Sequence, residues 1–301
     1  MIFPAVSRAR ALSIRLGTSI EGGGYLPYSA ALVDTLKSVD PILEISPLQT
    51  RGSTENARLL QAGDIDMGLV SGEVLYEWRA ANPGAPPLKV VSVIYSAPGL
   101  FCVRADSRYH SISELEGRPV VWSPRGTGSA VQAHYVMDGM GLDMDRDFEA
   151  IYPDSFIEGP YLVLGARAAA LWGSGRRWPG FVEMASRPIG ARFIAPDAAE
   201  IGRIRAKYSF LAPLTVPASL YPGQYDPIAT VGTWSFILAR ADLEDAVGHR
   251  MAASLYKVEH AAVLTRQLAQ TTARNTLAAI RSVDDLQPGV LRYYREIGLV
   301  R

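Results

Sequence analysis

Cysteine is almost absent from the 301-residue chain, which contains one, Cys102. A single thiol forms no intramolecular disulfide and cannot build the multi-thiolate sites that hold zinc or iron–sulfur clusters. Cys102 lies in the apolar run 99–103, so we expect a small buried side chain there rather than a reactive thiol.

An excess of charge of either sign is also missing, because 30 basic and 30 acidic side chains cancel. This balance argues against nucleic acid as a partner, which needs a basic footprint, and against a polybasic membrane-surface protein. Long apolar runs are absent as well. The longest uncharged stretch, residues 208–225, contains three prolines and several hydroxyls, so it does not predict a membrane span.

A secretory signal is not visible at the start of the chain. The first 16 residues hold three arginines and no uninterrupted apolar stretch. The start therefore leaves two interpretations open, a cytoplasmic protein or a mature form whose export signal has been removed.

Motifs of catalysis and cofactor binding are missing too. The chain has no His-Glu-x-x-His, Gly-x-Ser-x-Gly, Walker A or Gly-x-Gly-x-x-Gly sequence, and its four histidines are scattered. We therefore expect no enzymatic activity, no catalytic residues, no metal site and no cofactor.

What the sequence does contain is an alternation of strand and helix patterns over the first hundred residues, which begins again after Pro98 and Gly99. This repetition predicts parallel sheets with helices on both faces. We expect two sheets joined by extended strands near residues 95–103 and 230–239. The predicted fold class is α/β, with two lobes, a hinge and an interlobe cleft. The first lobe would comprise residues 1–97 and 236–301, and the second lobe residues 98–235.

Small polar loops follow four of the predicted strands, at residues 17–19, 52–53, 71–73 and 126–129. Three of them lead directly into a helix, whose first N–H groups and positive dipole end favour an anion. In open α/β sheets ligands bind outside the carboxyl ends of the strands. Opposed lobes that carry such loops could hold a small anionic or zwitterionic molecule; ordinary helix-capping turns are the alternative.

Six motifs along nearly the whole chain occur in the order found in a known family. Two examples are Gly52-Ser53-Thr54-Glu55-Asn56, at a predicted helix start, and Tyr221-Pro222-Gly223-Gln224. The other four lie within residues 16–27, 66–77, 126–129 and 288–294. The set resembles the TAXI group of solute-binding proteins, which serve tripartite ATP-independent periplasmic (TRAP) transporters.

The resemblance implies a type II periplasmic-binding fold without catalytic activity. It implies a periplasmic receptor that captures an amino acid or another small carboxylate and delivers it to a TRAP membrane permease driven by an ion gradient. We expect a monomer. The family also implies an export signal, which is not visible here.

Two departures from the family pattern concern the ligand. Ser71-Gly72-Glu73 stands where the family usually has Gln-Ser-Asp, and arginine stands at positions 51 and 125 where smaller residues are usual. Smaller walls and added guanidinium groups suggest a larger or more anionic ligand. The stretch 173–179 also departs from the family pattern, because it resembles an insertion into a shorter loop.

Both lobes contribute candidate ligand-binding residues, and the ligand carboxylate is expected at the 126–129 loop beside the Arg125 guanidinium. The first-lobe candidates are Thr18, Ser19, Tyr25, Ser53 and Ser71. The second-lobe candidates are Arg125, Gly126, Thr127, Gly128 and Ser129, with Trp172 as a further wall.

Two other functions fit the same fold. One is a sensor domain that passes a ligand signal to a protein partner. The other is an enzyme, such as a pyrimidine-synthesis or deaminase-like protein, but this would need a positioned histidine, cysteine or metal set.

Overall fold

A continuous sheet of ten strands runs through the computed structural model, which describes residues 12–261 and 265–301. The strand order is β2-β1-β3-β10-β4-β7-β5-β6, with β8 paired to β4 and β9 to β10. The first part of the chain alternates strictly. Its elements are β1 Leu12–Gly17, α1 Tyr25–Val39, β2 Leu43–Leu48, α2 Ser53–Ala62, β3 Met67–Ser71 and α3 Gly72–Ala81.

The middle of the chain adds six strands and four helices. They are β4 Lys89–Arg104, β5 Pro119–Val121, α4 Gly128–Met140, β6 Glu149–Ile151, α5 Glu158–Leu164, β7 Ala170–Ser174, α6 Pro179–Ala185, β8 Ala191–Ile194, α7 Ala198–Lys207 and β9 Ala212–Val216. The last part consists of β10 Ile228–Ala239, α8 Asp245–His260, α9 Ala273–Ala279 and α10 Pro288–Glu296. Short 3-10 turns occupy residues 113–115, 266–268 and 283–285.

Separate hydrophobic cores divide the molecule into two lobes. One core joins β1 to β3 and the start of β4 with the C-terminal helices, and Leu32, Val93 and Val290 are among its fully buried members. Two further clusters, which contain Phe101 and Phe181, form the core of the other part of the molecule. In sequence, this part lies between the two segments that build the first core. We call these parts the first and the second lobe. The α/β fold of two lobes is thus confirmed, while the exact boundaries given above stay a prediction.

Two long strands, β4 and β10, cross from one lobe to the other. The early part of β4 pairs antiparallel with β10, and from Gly99 onward β4 pairs with β7 and β8. β10 pairs with β9 up to Gly232 and then with β4 and β3. Every ladder of β10 is antiparallel, so the expectation of purely parallel sheets was wrong for this part of the molecule.

The extended strand expected near residues 95–103 is part of β4, which continues through Pro98 and Gly99. Pro98 has no N–H to donate, but it lies where β4 exchanges one set of partners for another, so the missing donor interrupts no regular ladder. The sequence pattern predicts a helix over residues 258–268, but α8 ends at His260 and a 3-10 turn occupies residues 266–268. Residues 262–264 lie outside the described residues.

The crossing of β4 and β10 generates a stability prediction at Gly232. A Cβ atom there would lie far inside the contact distance of the Ala97 carbonyl oxygen, a backbone atom that cannot rotate away. We expect Gly232→Ala to lower the free energy of unfolding by about 1–3 kcal/mol, measured by urea denaturation. Gly202→Ala is the control, because its Cβ meets open space in helix α7. Equal stability of the two variants would contradict the close crossing.

Candidate ligand-binding site

An inner cavity of about 50 Å³ lies between the lobes, where four helices begin. Its walls are rich in hydroxyl groups, and no charged side chain lines it in the described part of the chain. The hydroxyl-bearing lining residues are Ser19, Tyr25, Ser53, Ser71, Tyr95, Thr127, Ser129, Ser174 and Ser235. The rest of the lining consists of Gly23, Gly24, Gly52, Ala97, Gly128, Phe156 and Trp178.

An outer chamber of about 540 Å³ adjoins the inner cavity, and Gly24, Tyr95 and Trp178 line both. Residues of the first lobe form one side of the chamber, and the stretch from Gly175 to Glu183 forms much of the other. The two spaces together make the interlobe cleft that the sequence predicts.

The first-lobe wall is built from hydroxyls that bond to one another. The Tyr25 hydroxyl donates to Ser235 Oγ at 3.1 Å and lies 3.3 Å from Ser53 Oγ, which accepts from the Ser71 N–H at 3.1 Å. Burial raises the pKa of Tyr25 to about 12, so its hydroxyl stays neutral at physiological pH. Beneath the wall, Asn56 donates to the Thr18 and Leu69 carbonyls at 2.8 Å each and fixes the strand ends.

The second-lobe wall is the loop that opens helix α4. Thr127 caps the helix, because its hydroxyl oxygen accepts from the Ala130 N–H at 3.4 Å while its proton goes to the Pro124 carbonyl at 2.7 Å. Behind it, the indole N–H of Trp172 donates to the Ser129 carbonyl at 3.0 Å. The helix start is therefore held in one orientation toward the cleft.

The lobes touch directly at Gly128, so the cleft is closed. A Cβ at Gly128 would overlap the Ser71 side chain and lie 3.0 Å from Ser53 Oγ. The Thr54 N–H also approaches the Gly126 carbonyl across the cleft at 3.4 Å. Ser71 Oγ is buried without a hydrogen-bond partner within residues 12–261 and 265–301, which leaves it available to a bound molecule.

A buried polar pair lies deeper in the interface. Gln132 Nε2 on α4 donates to Glu73 Oε1 on α3 at 2.7 Å and to the Ala97 carbonyl on β4 at 2.8 Å. Burial raises the pKa of the Glu73 carboxyl, against the weaker opposing effect of these hydrogen bonds. The sequence reasoning considered Glu73 only as a departure from the family motif and did not consider Gln132.

The structure brings seven of the eleven candidate residues to the inner cavity. Thr18 and Trp172 instead lie behind the lining: the Thr18 hydroxyl donates to the Leu48 carbonyl at 2.9 Å, and Trp172 is fully buried. Gly126 is exposed and is not part of the lining. The seven are Ser19, Tyr25, Ser53, Ser71, Thr127, Gly128 and Ser129. That these residues bind a ligand stays a prediction.

Arg125 does not reach the cleft, which corrects its expected place beside a ligand carboxylate. Its guanidinium lies 3.6 Å from the centre of the Tyr152 ring and 3.6 Å from the Asp145 carboxylate, and 68% of its side chain is exposed. An aromatic face and an acid on neighbouring loops hold this cation at the outer surface. Positive character at the 126–129 loop therefore comes from the helix start and not from this arginine.

Sequence reasoning missed the aromatic walls at Tyr95, Phe156 and Trp178, and the hydroxyls of Ser174 and Ser235. Trp178 lies in the stretch 173–179, which appeared to be an insertion and lines both spaces. Tyr95 and Ser235 lie on the crossing strands. Side chains on strands that pass between two lobes face the cleft by alternation, and this signal could have found them.

The fold and the site together define the class. Two α/β lobes joined by two crossing strands, with a polar cavity at the helix starts between them, form the architecture of periplasmic binding proteins. The chain belongs to the NMT1-like family, which matches residues 16–298.

Solved structures support the fold at low identity. The chain is similar to the periplasmic aliphatic sulphonate-binding protein SsuA of Escherichia coli, with a TM-score of 0.51, 17% identity and coverage of 94% of this chain and 82% of that one. For PhnD1 of Prochlorococcus marinus, in complex with methylphosphonate, the TM-score is 0.53 and the identity 11%, with coverage of 96% of this chain and 99% of that one. For an ancestral arginine-binding protein bound to arginine, the TM-score is 0.53 and the identity 11%, with coverage of 87% of this chain and 98% of that one.

Membrane crossing was considered separately. Within residues 12–261 and 265–301, none of the helices combines the length and the apolar character needed to span a bilayer.

The contact at Gly128 predicts that a methyl group there keeps the lobes apart. Gly128→Ala should leave the free energy of unfolding nearly unchanged, because alanine is accepted at a helix start, but it should hinder closure against Ser71 and Ser53. Small-angle scattering should give a larger radius of gyration for Gly128→Ala than for wild type or the Gly202→Ala control. Identical scattering of all three proteins would contradict the contact.

Proposed function

We propose that the chain is an extracytoplasmic solute-binding receptor of the TAXI group. It captures a small ligand with a carboxylate group by closure of its lobes and delivers it to a TRAP permease in the membrane. The protein acts as a periplasmic monomer and performs no chemistry on its ligand.

One observation carries the proposal: the closed interlobe cavity collects hydroxyl groups and helix starts without a charged side chain. Helices α2 and α4 begin at Ser53 and Gly128, on opposite sides of the cavity. Their free N–H groups and positive dipole ends, together with Ser71 Oγ, suit an anionic head group. This is a site for holding and releasing an ion, since the cavity lining brings no general acid, base or nucleophile–base pair together.

The ligands named for similar structures have the same character. Aliphatic sulphonates, methylphosphonate and arginine are small molecules, and each carries an anionic group. The family motifs around Thr18, Ser53 and Gly128 favour a carboxylate among such groups, and they favour a TRAP permease as the receiving partner.

The ligand itself tests the proposal. Small molecules released by denaturing the purified protein should include a carboxylic acid, identified by mass spectrometry. Its affinity, measured by calorimetry, should fall by about 0.5–1.5 kcal/mol for each of Ser53→Ala and Ser71→Ala, because each variant removes one hydroxyl contact. Ser186→Ala, outside the cavity, is the control. A tightly bound neutral sugar or nucleoside, or wild-type affinity in both variants, would refute the site.

Delivery is tested with a TRAP permease from the same organism, reconstituted in vesicles. Uptake of the recovered ligand should need the receptor and an ion gradient. Uptake that needs ATP would assign the receptor to another transporter class.

A further inference from the structure

The inner cavity is small for a ligand site. Its volume of about 50 Å³ compares with about 300–1,000 Å³ for ordinary ligand sites. It suits one head group, such as a carboxylate. The outer chamber of about 540 Å³ adjoins it and has space for the rest of a ligand.

Gly24 lies at the junction of the two spaces, since Gly24, Tyr95 and Trp178 line both of them. A Cβ at this position would lie 2.9 Å from the Tyr95 hydroxyl and 3.8 Å from Trp178 Cδ1. The backbone of Gly24 is in the ordinary right-handed region, so the helix start does not require glycine for its dihedral angles. A side chain at position 24 would instead press on Tyr95 and narrow the junction.

The outer chamber has an aromatic floor and a cationic rim. Tyr28, Tyr95 and Trp178 contribute aromatic surface, and three arginines line the chamber, Arg176, Arg177 and Arg266. None of these arginines forms a salt bridge to any residue of the described chain. The Arg177 guanidinium donates to the Leu220 carbonyl at 2.9 Å, so Arg176 and Arg266 are the two better placed to meet a ligand. The acid of the lining, Glu183, is already paired with Arg187 outside it.

We propose that the ligand is an elongated organic anion with an acidic group at each end. One end occupies the hydroxyl-lined inner cavity, the apolar body passes Gly24, and the other end reaches the arginines of the outer chamber. This inference rests on the proposed receptor function and names the substrate class of the same cleft.

Straight-chain dicarboxylates and monocarboxylates of equal carbon number test the proposal by calorimetry. Above a threshold length, each dicarboxylate should bind about tenfold more tightly than its monocarboxylate, because the second carboxylate meets a guanidinium. The double variant Arg176→Gln/Arg266→Gln should abolish this advantage and leave monocarboxylate binding unchanged. Arg203→Gln, on the exposed face of α7, should preserve it. Gly24→Ala should weaken the long acids of both series relative to Gly202→Ala.

Equal affinity of the two series at every length would overturn the two-ended ligand, and so would a dicarboxylate advantage that survives in the double arginine variant. Failure of every acid to bind would also overturn it. The receptor function is judged separately, by the molecule recovered from the purified protein, so the two proposals can fail independently.

A second inference comes from the buried pair of Glu73 and Gln132, which joins the two lobes. Their side chains are 1% and 0% exposed, and the Gln132 amide donates both of its protons, to Glu73 Oε1 and to the Ala97 carbonyl. Glu73 Oε2 and Gln132 Oε1 have no hydrogen-bond partner within the described residues. An ionised carboxylate only accepts, so it gives Gln132 Oε1 no donor, whereas a protonated Oε2 can donate to Gln132 Oε1.

The surroundings of Glu73 supply no compensating cation. Its polar neighbours are Gln132 on α4, Thr233 on β10 and Ser71 at the start of α3, all of them neutral. The titratable group coupled to it is Tyr25 on α1, which stays neutral because burial raises its pKa to about 12. Burial likewise raises the pKa of Glu73 in the closed form.

We propose that closure of the lobes takes up one proton at Glu73, whose carboxyl then forms a two-hydrogen-bond pair with the Gln132 amide. In an open form water reaches the carboxyl, which then ionises in the ordinary range of a glutamate. The closed form therefore gains its full stability below the ordinary pKa and loses it as the pH rises through the raised pKa. The open form thus becomes favoured at higher pH, by at most about tenfold for each pH unit in this window.

The closed fraction as a function of pH tests this coupling. Dyes attached at Asp64→Cys and Arg203→Cys report the distance between the lobes, and the buried Cys102 stays unlabelled. The closed fraction should fall with rising pH in the wild-type background and in Glu116→Gln, an exposed control. Glu73→Gln mimics the protonated acid and should remove the dependence.

An unchanged pH dependence in Glu73→Gln, or none in the wild-type background, would overturn the proposal. The carbon-13 titration of the Glu73 carboxyl gives a second criterion that needs no variant. In the closed protein it must have its midpoint above the ordinary glutamate range, and an ordinary midpoint would also refute proton uptake.

Discussion

The antiparallel crossing of β4 and β10 is the constraint on which the rest of the structure depends. The two strands approach so closely that only glycine fits at position 232, and side chains of the second lobe satisfy the carbonyls beside it. Thr230 Oγ1 donates to the Gly99 carbonyl at 2.6 Å, and Gln132 donates to Ala97. The same short stretch of backbone thus joins the sheets, anchors the interface and brings Tyr95 and Ser235 to the cleft.

The parts of the site that the sequence predicts are those determined by local geometry. A strand followed by a small polar loop and an amphipathic segment places that loop at a sheet edge, and Ser53, Ser71 and Thr127 were found in this way. β4 and β10 were recognised as extended strands, but their antiparallel pairing was not, because the strand partners lie more than a hundred residues apart in the chain. The pairing of strands that are distant in sequence usually leaves no pattern in the neighbouring residues from which it could be predicted.

Arg125 shows a different limit of sequence reasoning. Its position beside the loop suggested an anion partner, but the direction of a long side chain depends on what surrounds it. Here Tyr152 and Asp145, both distant in sequence, offer an aromatic face and a carboxylate on the outer surface. Trp178 shows the converse, since a stretch that appeared to be an insertion supplies a wall of both spaces through its tertiary position alone.

The hydroxyl groups of the inner cavity have a consequence for how the ligand specificity of such a receptor can change. A serine or tyrosine hydroxyl rotates and can either donate or accept, so one set of them can satisfy a planar or a tetrahedral acid equally well. If the proposed function holds, the inner cavity would therefore accept several kinds of anionic group. Selection among ligands would then depend on the outer chamber, whose lining comes largely from two short segments, residues 175–183 and 266–270. Substitutions in these segments would then change the preferred ligand while the inner cavity and the hinge stay as they are.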